Sequence, residues 1–139
     1  MKPSLTHSYL TLRKTVGIIG MVLPFALVLG NRLIFGASIE PSISDYYHTG
    51  MRDLFVGSMC AVALFLFFYK GHDKRDNWLG NIAAIFALGV AWFPASKNTD
   101  IIVILHYVSA AGLFSCLSAF CLFLFPKGGS DFNKHIYTV

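Results

Sequence analysis

The chain has 139 residues, of which 55% are hydrophobic and 13% are charged, about half the charged share of an average soluble domain. A soluble domain of this size buries only about 60–70% of the surface that its unfolded chain exposes, so this composition excludes that class and indicates an integral membrane protein. The net charge of +4 is modest, and its Lys and Arg lie between apolar runs, which excludes a nucleic-acid-binding protein.

Four apolar segments are candidate membrane spans, because a helix needs roughly 20 mostly apolar residues to cross a bilayer. They run from about 15 to 35, 51 to 69, 78 to 94 and 101 to 125. The first contains Pro24, the third is short, and the fourth is long enough to tilt. The sequence therefore predicts a single all-α membrane domain over residues 1–139, a bundle of four transmembrane helices.

Lysine and arginine are distributed unequally over the segments between these spans. With the N-terminus in the cytoplasm, eight of them lie inside and three lie outside. The inside residues are Lys2, Arg13, Lys14, Lys70, Lys74, Arg75, Lys127 and Lys134, and the outside residues are Arg32, Arg52 and Lys97. Because Lys and Arg are enriched on the cytoplasmic side of membrane proteins, we expect both termini to be cytoplasmic.

The loop between the first two spans is dense in ionisable and aromatic side chains, and the predicted topology places it at the outer surface. Ser42 and Asp45 fit a capping box of a short helix, on which Ser44 and His48 would share a face. Asp53 follows in the first turn of the second span. It is either a functional carboxylate or one that favours the positive N-terminal end of a helix.

His106 is an ionisable residue that lies several residues inside a predicted span. It is about five residues into the fourth span, so roughly 7–8 Å below the outer boundary at 1.5 Å per residue. Burying such a residue costs a few kcal/mol, which marks it as a candidate functional group. Two interpretations stay open: a metal ligand, or a neutral histidine hydrogen-bonded to a backbone carbonyl or to Ser109.

The predicted topology places His48, Asp53 and His106 at a similar depth under the outer leaflet. Two histidines and a carboxylate with an open coordination position suit zinc or another divalent cation. We therefore predict His48, His106 and Asp53 as metal ligands, with Asp53 alternatively orienting a metal-activated water. Ser44 would stabilise the developing oxyanion, so Ser44 and Asp53 are the predicted catalytic residues.

One long run and several short segments carry a family resemblance. They are residues 42–57 (SISDYYHTGMRDLFVG), 69–73, 76–77, 87–94 and His106. They resemble a family of small uncharacterised bacterial multi-pass membrane proteins, over roughly residues 15–125. The resemblance implies a multi-pass protein of the bacterial inner membrane and brings no established activity. Members of that family continue past the point equivalent to Tyr137 with a further pair of membrane helices.

A second resemblance is more distant. Ser44, His48, a nearby Asp and His106 are similar in type to residues of the alkaline ceramidase and adiponectin receptor superfamily, whose seven-helix members hold an intramembrane zinc among a Ser, an Asp and three His. Here Ala110 stands where the last motif of that superfamily would have a second His, and the third His has no counterpart on the outer side.

Three functions are compatible with the sequence. The first is a metal-dependent hydrolase that acts on a lipid amide or ester in a polar pocket at the outer leaflet. The second is a non-catalytic accessory or scaffold subunit of a membrane complex, which binds lipid and packs through stripes of small residues. Those stripes are Gly57 and Ala61, then Ala83, Ala87 and Ala91, then Ala111, Ser115 and Ala119.

The third function is an oligomeric channel or transporter, which the lack of mid-span charges disfavours. The expected partners are membrane lipid and either further copies of this chain in a homo-oligomer or another subunit of a membrane complex.

Overall fold

The computed structural model describes residues 4–70, 74–96, 98 and 100–124, and within them the chain forms helices and no strand. The elements are α1 (Ser4–Phe35), a short 3-10 helix (Ile43–His48), α2 (Arg52–Phe68), α3 (Lys74–Trp92) and α4 (Ile101–Ala119), which continues as a π-helical turn (Phe120–Leu124). The all-α prediction is confirmed, and each predicted span falls on one helix, although α1 begins eleven residues before its predicted span.

Two of the helices are long and apolar enough to cross a membrane. These segments are Arg13–Phe35 and Ile101–Phe123. In the most apolar stretch of the first segment only 17% of the residues are buried inside the protein, and in that of the second segment 28% are. Large apolar side chains therefore cover the outer faces of both helices. Such exposure favours a lipid environment, because a water-soluble helix buries its apolar face.

Close contacts between helices build the core. α2 packs along α3 and α3 along α4, whereas α1 contacts α2 and the 3-10 helix. Ala83, Ala87 and Ala91 are all buried, which confirms the predicted stripe on α3. Gly80 brings α3 so near to α2 that a Cβ there would lie 2.9 Å from the carbonyl oxygen of Leu66. Small residues therefore set the spacing between these helices.

The small-residue stripe predicted for α4 does not face the core. Ala111 and Ser115 are exposed, and the Ser115 hydroxyl donates to the carbonyl of Ala111 at 2.8 Å. α4 packs instead through a neighbouring face: Val103, His106, Ser109, Leu113 and Cys116. The prediction was wrong because a small-residue spacing permits close approach of helices without saying which face is used.

The loop after α1 is fastened to the bundle by two buried polar side chains. Gly36 takes a left-handed conformation (φ 63°), which ends α1 at little steric cost because glycine has no Cβ. Asn31, 1% exposed, donates from Nδ2 to the carbonyl of Ser38 at 3.0 Å. Tyr46 is buried in the 3-10 helix, and its hydroxyl accepts the Glu40 N–H at 3.3 Å. These contacts fix the 3-10 helix against the ends of α1 and α2.

Candidate functional site

The end of α3 presents backbone carbonyl groups that need partners. Pro94 has no N–H and disfavours the helical conformation at the preceding residue, so α3 stops at Trp92, and the last carbonyls of a helix have no partner within it. The Phe93 carbonyl accepts from His106 Nδ1 at 2.6 Å, and the Ala95 carbonyl accepts from His48 Nε2. Two histidines thus bind carbonyls two residues apart.

His106 also contacts Ser44, which lies 62 residues away in the sequence. The imidazole is 1% exposed, and its Nε2 is 3.0 Å from Ser44 Oγ. Because the Phe93 carbonyl can only accept, a neutral His106 carries its proton on Nδ1, and Nε2 then accepts the Ser44 hydroxyl. A hydroxyl, a base and a group that orients the base therefore stand in one row, the arrangement that activates a serine nucleophile.

The 3-10 helix separates Ser44 from His48. A 3-10 helix has three residues per turn, so residues four apart point in different directions, and the predicted shared face was wrong. Ser44 is half-buried and faces His106, whereas His48 is exposed. The ring of His48 lies edge-on to that of Tyr47, with centroids 5.4 Å apart.

The predicted capping box at the start of this helix does not form. Ser42 occupies the N-cap position as predicted, but its side chain caps no backbone N–H. Its hydroxyl donates instead to Asp45 Oδ2 at 2.8 Å. The aspartate side chain is one methylene shorter than the Glu or Gln of a capping box, so it meets the serine hydroxyl rather than the backbone.

Asp53 stands apart from the Ser44–His106 pair. It is exposed in the first turn of α2, where a carboxylate favours the positive end of the helix. Within the described part of the chain, no hydrogen bond joins it to either residue. Its neighbour Arg52 donates from Nη2 to the Tyr47 hydroxyl at 2.9 Å, with its guanidinium carbon 4.5 Å from the centre of that ring.

The residues predicted as zinc ligands do not fit a metal ion in this arrangement. Among the described residues, no group of three or more His, Cys, Asp or Glu is placed to hold one. His106 donates from Nδ1 to Phe93 and accepts from Ser44 at Nε2, so it has no free lone pair for a metal in this arrangement. His48 bonds the Ala95 carbonyl through Nε2 and keeps the lone pair on Nδ1. The zinc site stays a prediction, and no chemical step below depends on it.

The sequence did not identify which backbone carbonyl His106 bonds. It left open a carbonyl or Ser109, and the structure selects the carbonyl of Phe93. The available signal was Pro94, which guarantees that carbonyls just before it lack helical partners. Ser109 is buried on the same face of α4, where it packs against Gly89.

No family model, curated protein or solved structure matches this chain. The resemblance to the bacterial multi-pass family stays a prediction.

Proposed function

We propose that the chain is a four-span protein of the bacterial inner membrane with both termini in the cytoplasm. α2 has 17 residues and α3 has 19, which at 1.5 Å per residue gives about 25 and 28 Å, close to the ~30 Å hydrocarbon core. α3 packs beside α4 and α2 contacts α1, and α4 and α1 are the described helices that are long and apolar enough to span. The excess of Lys and Arg at the end formed by the start of α1, the end of α2 and the start of α3 supports a cytoplasmic location of that end.

We propose further that Ser44 and His106 are the catalytic pair of a hydrolase that acts on an ester or amide of a membrane lipid. The observation that carries this proposal is the 3.0 Å contact of Ser44 Oγ with His106 Nε2, while Nδ1 is held by Phe93. Ser44 is then the nucleophile, a different role from the oxyanion donor that the sequence suggests.

The chemistry follows the general logic of an activated serine. His106 Nε2 takes the hydroxyl proton while Ser44 Oγ bonds to the carbonyl carbon of the substrate. The Phe93 carbonyl stabilises the resulting imidazolium through its bond to Nδ1–H. His106 next gives the proton to the leaving alcohol or amine, and an acyl ester of Ser44 forms. A water, deprotonated by His106, then releases the fatty acid and restores the serine.

The surroundings of the pair support a lipid substrate. Ile43, beside Ser44 in the chain, is 45% exposed, and Trp92, beside Phe93, is 64% exposed. Ile39 and Ile101 add further exposed apolar surface at the same end of the bundle. Exposed apolar groups of this kind mark a surface that contacts lipid or a partner, so a substrate would reach Ser44 sideways from the outer leaflet.

Hydrolysis of a fluorogenic fatty-acyl ester by the purified chain in lipid nanodiscs tests the catalytic proposal. Ser44→Ala is expected to abolish turnover, and His106→Gln to lower kcat by about 10²–10⁴-fold, the usual contribution of a general base. Ser42→Ala is the matched control, because Ser42 is exposed two residues away and contacts Asp45 rather than His106. Equal turnover by Ser44→Ala and wild type would rule the proposal out.

A non-catalytic scaffold that binds lipid is the second candidate, and the burial of His106 favours it. Its two hydrogen bonds join α4 to the 3-10 helix and to the segment after α3, so the imidazole alone could serve as a structural link. This function predicts that His106→Gln lowers thermal stability while no acyl ester is turned over by any variant.

A further inference from the structure

A crevice of about 280 Å³ lies between α1, α2 and α4, at the end of the bundle away from Ser44. Its walls are almost wholly apolar and include Val16, Phe65 and Leu117. Among the described residues that line it, Arg13 is the charged one. The volume is slightly below the roughly 300–1,000 Å³ of small-molecule pockets, so it suits part of one acyl chain rather than a whole lipid.

Two glycines on α1 form the wall that keeps this crevice open. A Cβ added at Gly17 or Gly20 would meet no atom of the described residues within 4 Å. By contrast, a Cβ on Gly80 would lie 2.9 Å from the backbone carbonyl oxygen of Leu66, so that glycine is needed for helix packing. Glycine within a helix destabilises it relative to alanine. The contacts among the described residues do not explain Gly17 and Gly20, whereas an occupant of the crevice would.

The charge around the crevice indicates what that occupant is. Arg13 lies at its edge, and Lys14, Lys70, Lys74 and Arg75 lie at the same end of the bundle, where the described residues include one carboxylate, Asp76. Basic residues at a membrane surface attract anionic lipids, and a guanidinium forms paired hydrogen bonds with phosphate oxygens.

We propose that this crevice binds one acyl chain of an anionic phospholipid, whose phosphate is bound by Arg13. The inference uses the proposed membrane insertion but is independent of hydrolysis at Ser44. The crevice would contact a lipid of the cytoplasmic leaflet, whereas a substrate would reach Ser44 from the outer leaflet. Failure of this inference would leave the Ser44 assay unchanged, and failure of that assay would leave this site intact.

Native mass spectrometry of the full chain in detergent, titrated with dioleoyl phosphatidylglycerol or dioleoyl phosphatidylcholine, tests the proposal. We expect one retained phosphatidylglycerol and at least five-fold weaker retention of phosphatidylcholine. Gly20→Leu fills the crevice and should weaken phosphatidylglycerol binding at least ten-fold. Arg13→Gln should weaken it about five-fold, which corresponds to the ~1 kcal/mol that one cation contributes near an anionic surface.

Two variants serve as matched controls. Gly57→Leu adds the same side chain at an exposed glycine of α2 that also has open space before it and does not line the crevice. Arg32→Gln removes an exposed charge in the last turn of α1, at the end of that helix away from the crevice. Both should bind phosphatidylglycerol within two-fold of wild type. If Gly20→Leu does not fold, Gly17→Leu and Arg13→Gln provide the same comparison.

Three results would overturn the proposal. Unchanged phosphatidylglycerol binding by Gly20→Leu would place the lipid elsewhere. Displacement of the lipid by millimolar inorganic phosphate would show that Arg13 binds a free anion. Loss of a dimer in Gly20→Leu, with lipid binding intact, would show that the crevice is an interface between two copies of the chain.

Discussion

Substitution of His106 separates its structural role from its chemical one. In His106→Ala both hydrogen bonds are lost, and each is worth about 0.5–1.5 kcal/mol net, in line with the average of ~0.6 measured between membrane helices. The imidazole is 1% exposed, so its removal also leaves a cavity, for which large-to-small core changes suggest ~2 kcal/mol. The expected loss of unfolding free energy is therefore about 3–5 kcal/mol.

His106→Asn is the informative companion to that variant. An asparagine amide N–H can replace Nδ1–H and still donate to the Phe93 carbonyl, whereas the contact with Ser44 is lost. We expect it to cost roughly half as much as the alanine variant, yet to abolish turnover as completely, because an amide is no base. His48→Ala, which removes an exposed histidine bonded to Ala95, should cost about 1 kcal/mol and spare activity.

Unfolding by sodium dodecyl sulfate in mixed micelles, followed by far-ultraviolet circular dichroism, measures these differences. The reasoning would be refuted by a loss below about 1 kcal/mol in His106→Ala, since neither hydrogen bond nor burial would then matter. It would also be refuted if His106→Asn kept the turnover of wild type, because the base would then be another group.

Three further changes have expected outcomes from the same structure. Gly89→Leu places a side chain where Ser109 lies and should unfold or strongly destabilise the α3–α4 pair. Gly57→Leu adds the same side chain in open space and should leave the melting temperature within a few degrees of wild type. Thermal melts in detergent compare the two variants. Gly36→Ala forces a Cβ into a left-handed backbone (φ 63°) and should cost about 1–2 kcal/mol in the same unfolding assay; no change would mean that the turn relaxes to another conformation. Ser44→Ala should lower stability by about 1 kcal/mol or less while removing all acyl-ester turnover, and a parallel loss of both would indicate a structural role.

The helices could be predicted from the sequence because apolar length determines them. The predicted span 101–125 matches α4 and its π-helical turn, Ile101–Leu124, and Pro94 correctly indicates where α3 stops. The start of α1 at Ser4 was missed, since the polar residues before the span still form helix outside the apolar stretch. Hydropathy reports burial in lipid and does not report where a helix begins in water.

The site could be predicted only in its residue types. Ser44 and His106 stood out as polar groups near one membrane boundary, and the structure brings them within 3.0 Å. The third member is the backbone carbonyl of Phe93, which every residue possesses and which no side-chain pattern can reveal. The grouping of His48 with His106 came from their similar predicted depth, which does not say which groups their rings bond, and His48 Nε2 bonds the Ala95 carbonyl instead.

Covalent labelling with a long-chain alkyl fluorophosphonate tests most directly whether Ser44 is an activated nucleophile. The reagent phosphonylates an activated serine and leaves ordinary hydroxyls unmodified, so intact mass and peptide mapping report both extent and position. We predict stoichiometric modification of Ser44 in wild type and in Ser42→Ala, slow modification in His106→Asn, and none in Ser44→Ala. An unmodified wild-type chain that is folded by circular dichroism would contradict the catalytic proposal and leave the lipid-binding scaffold as the function of this bundle.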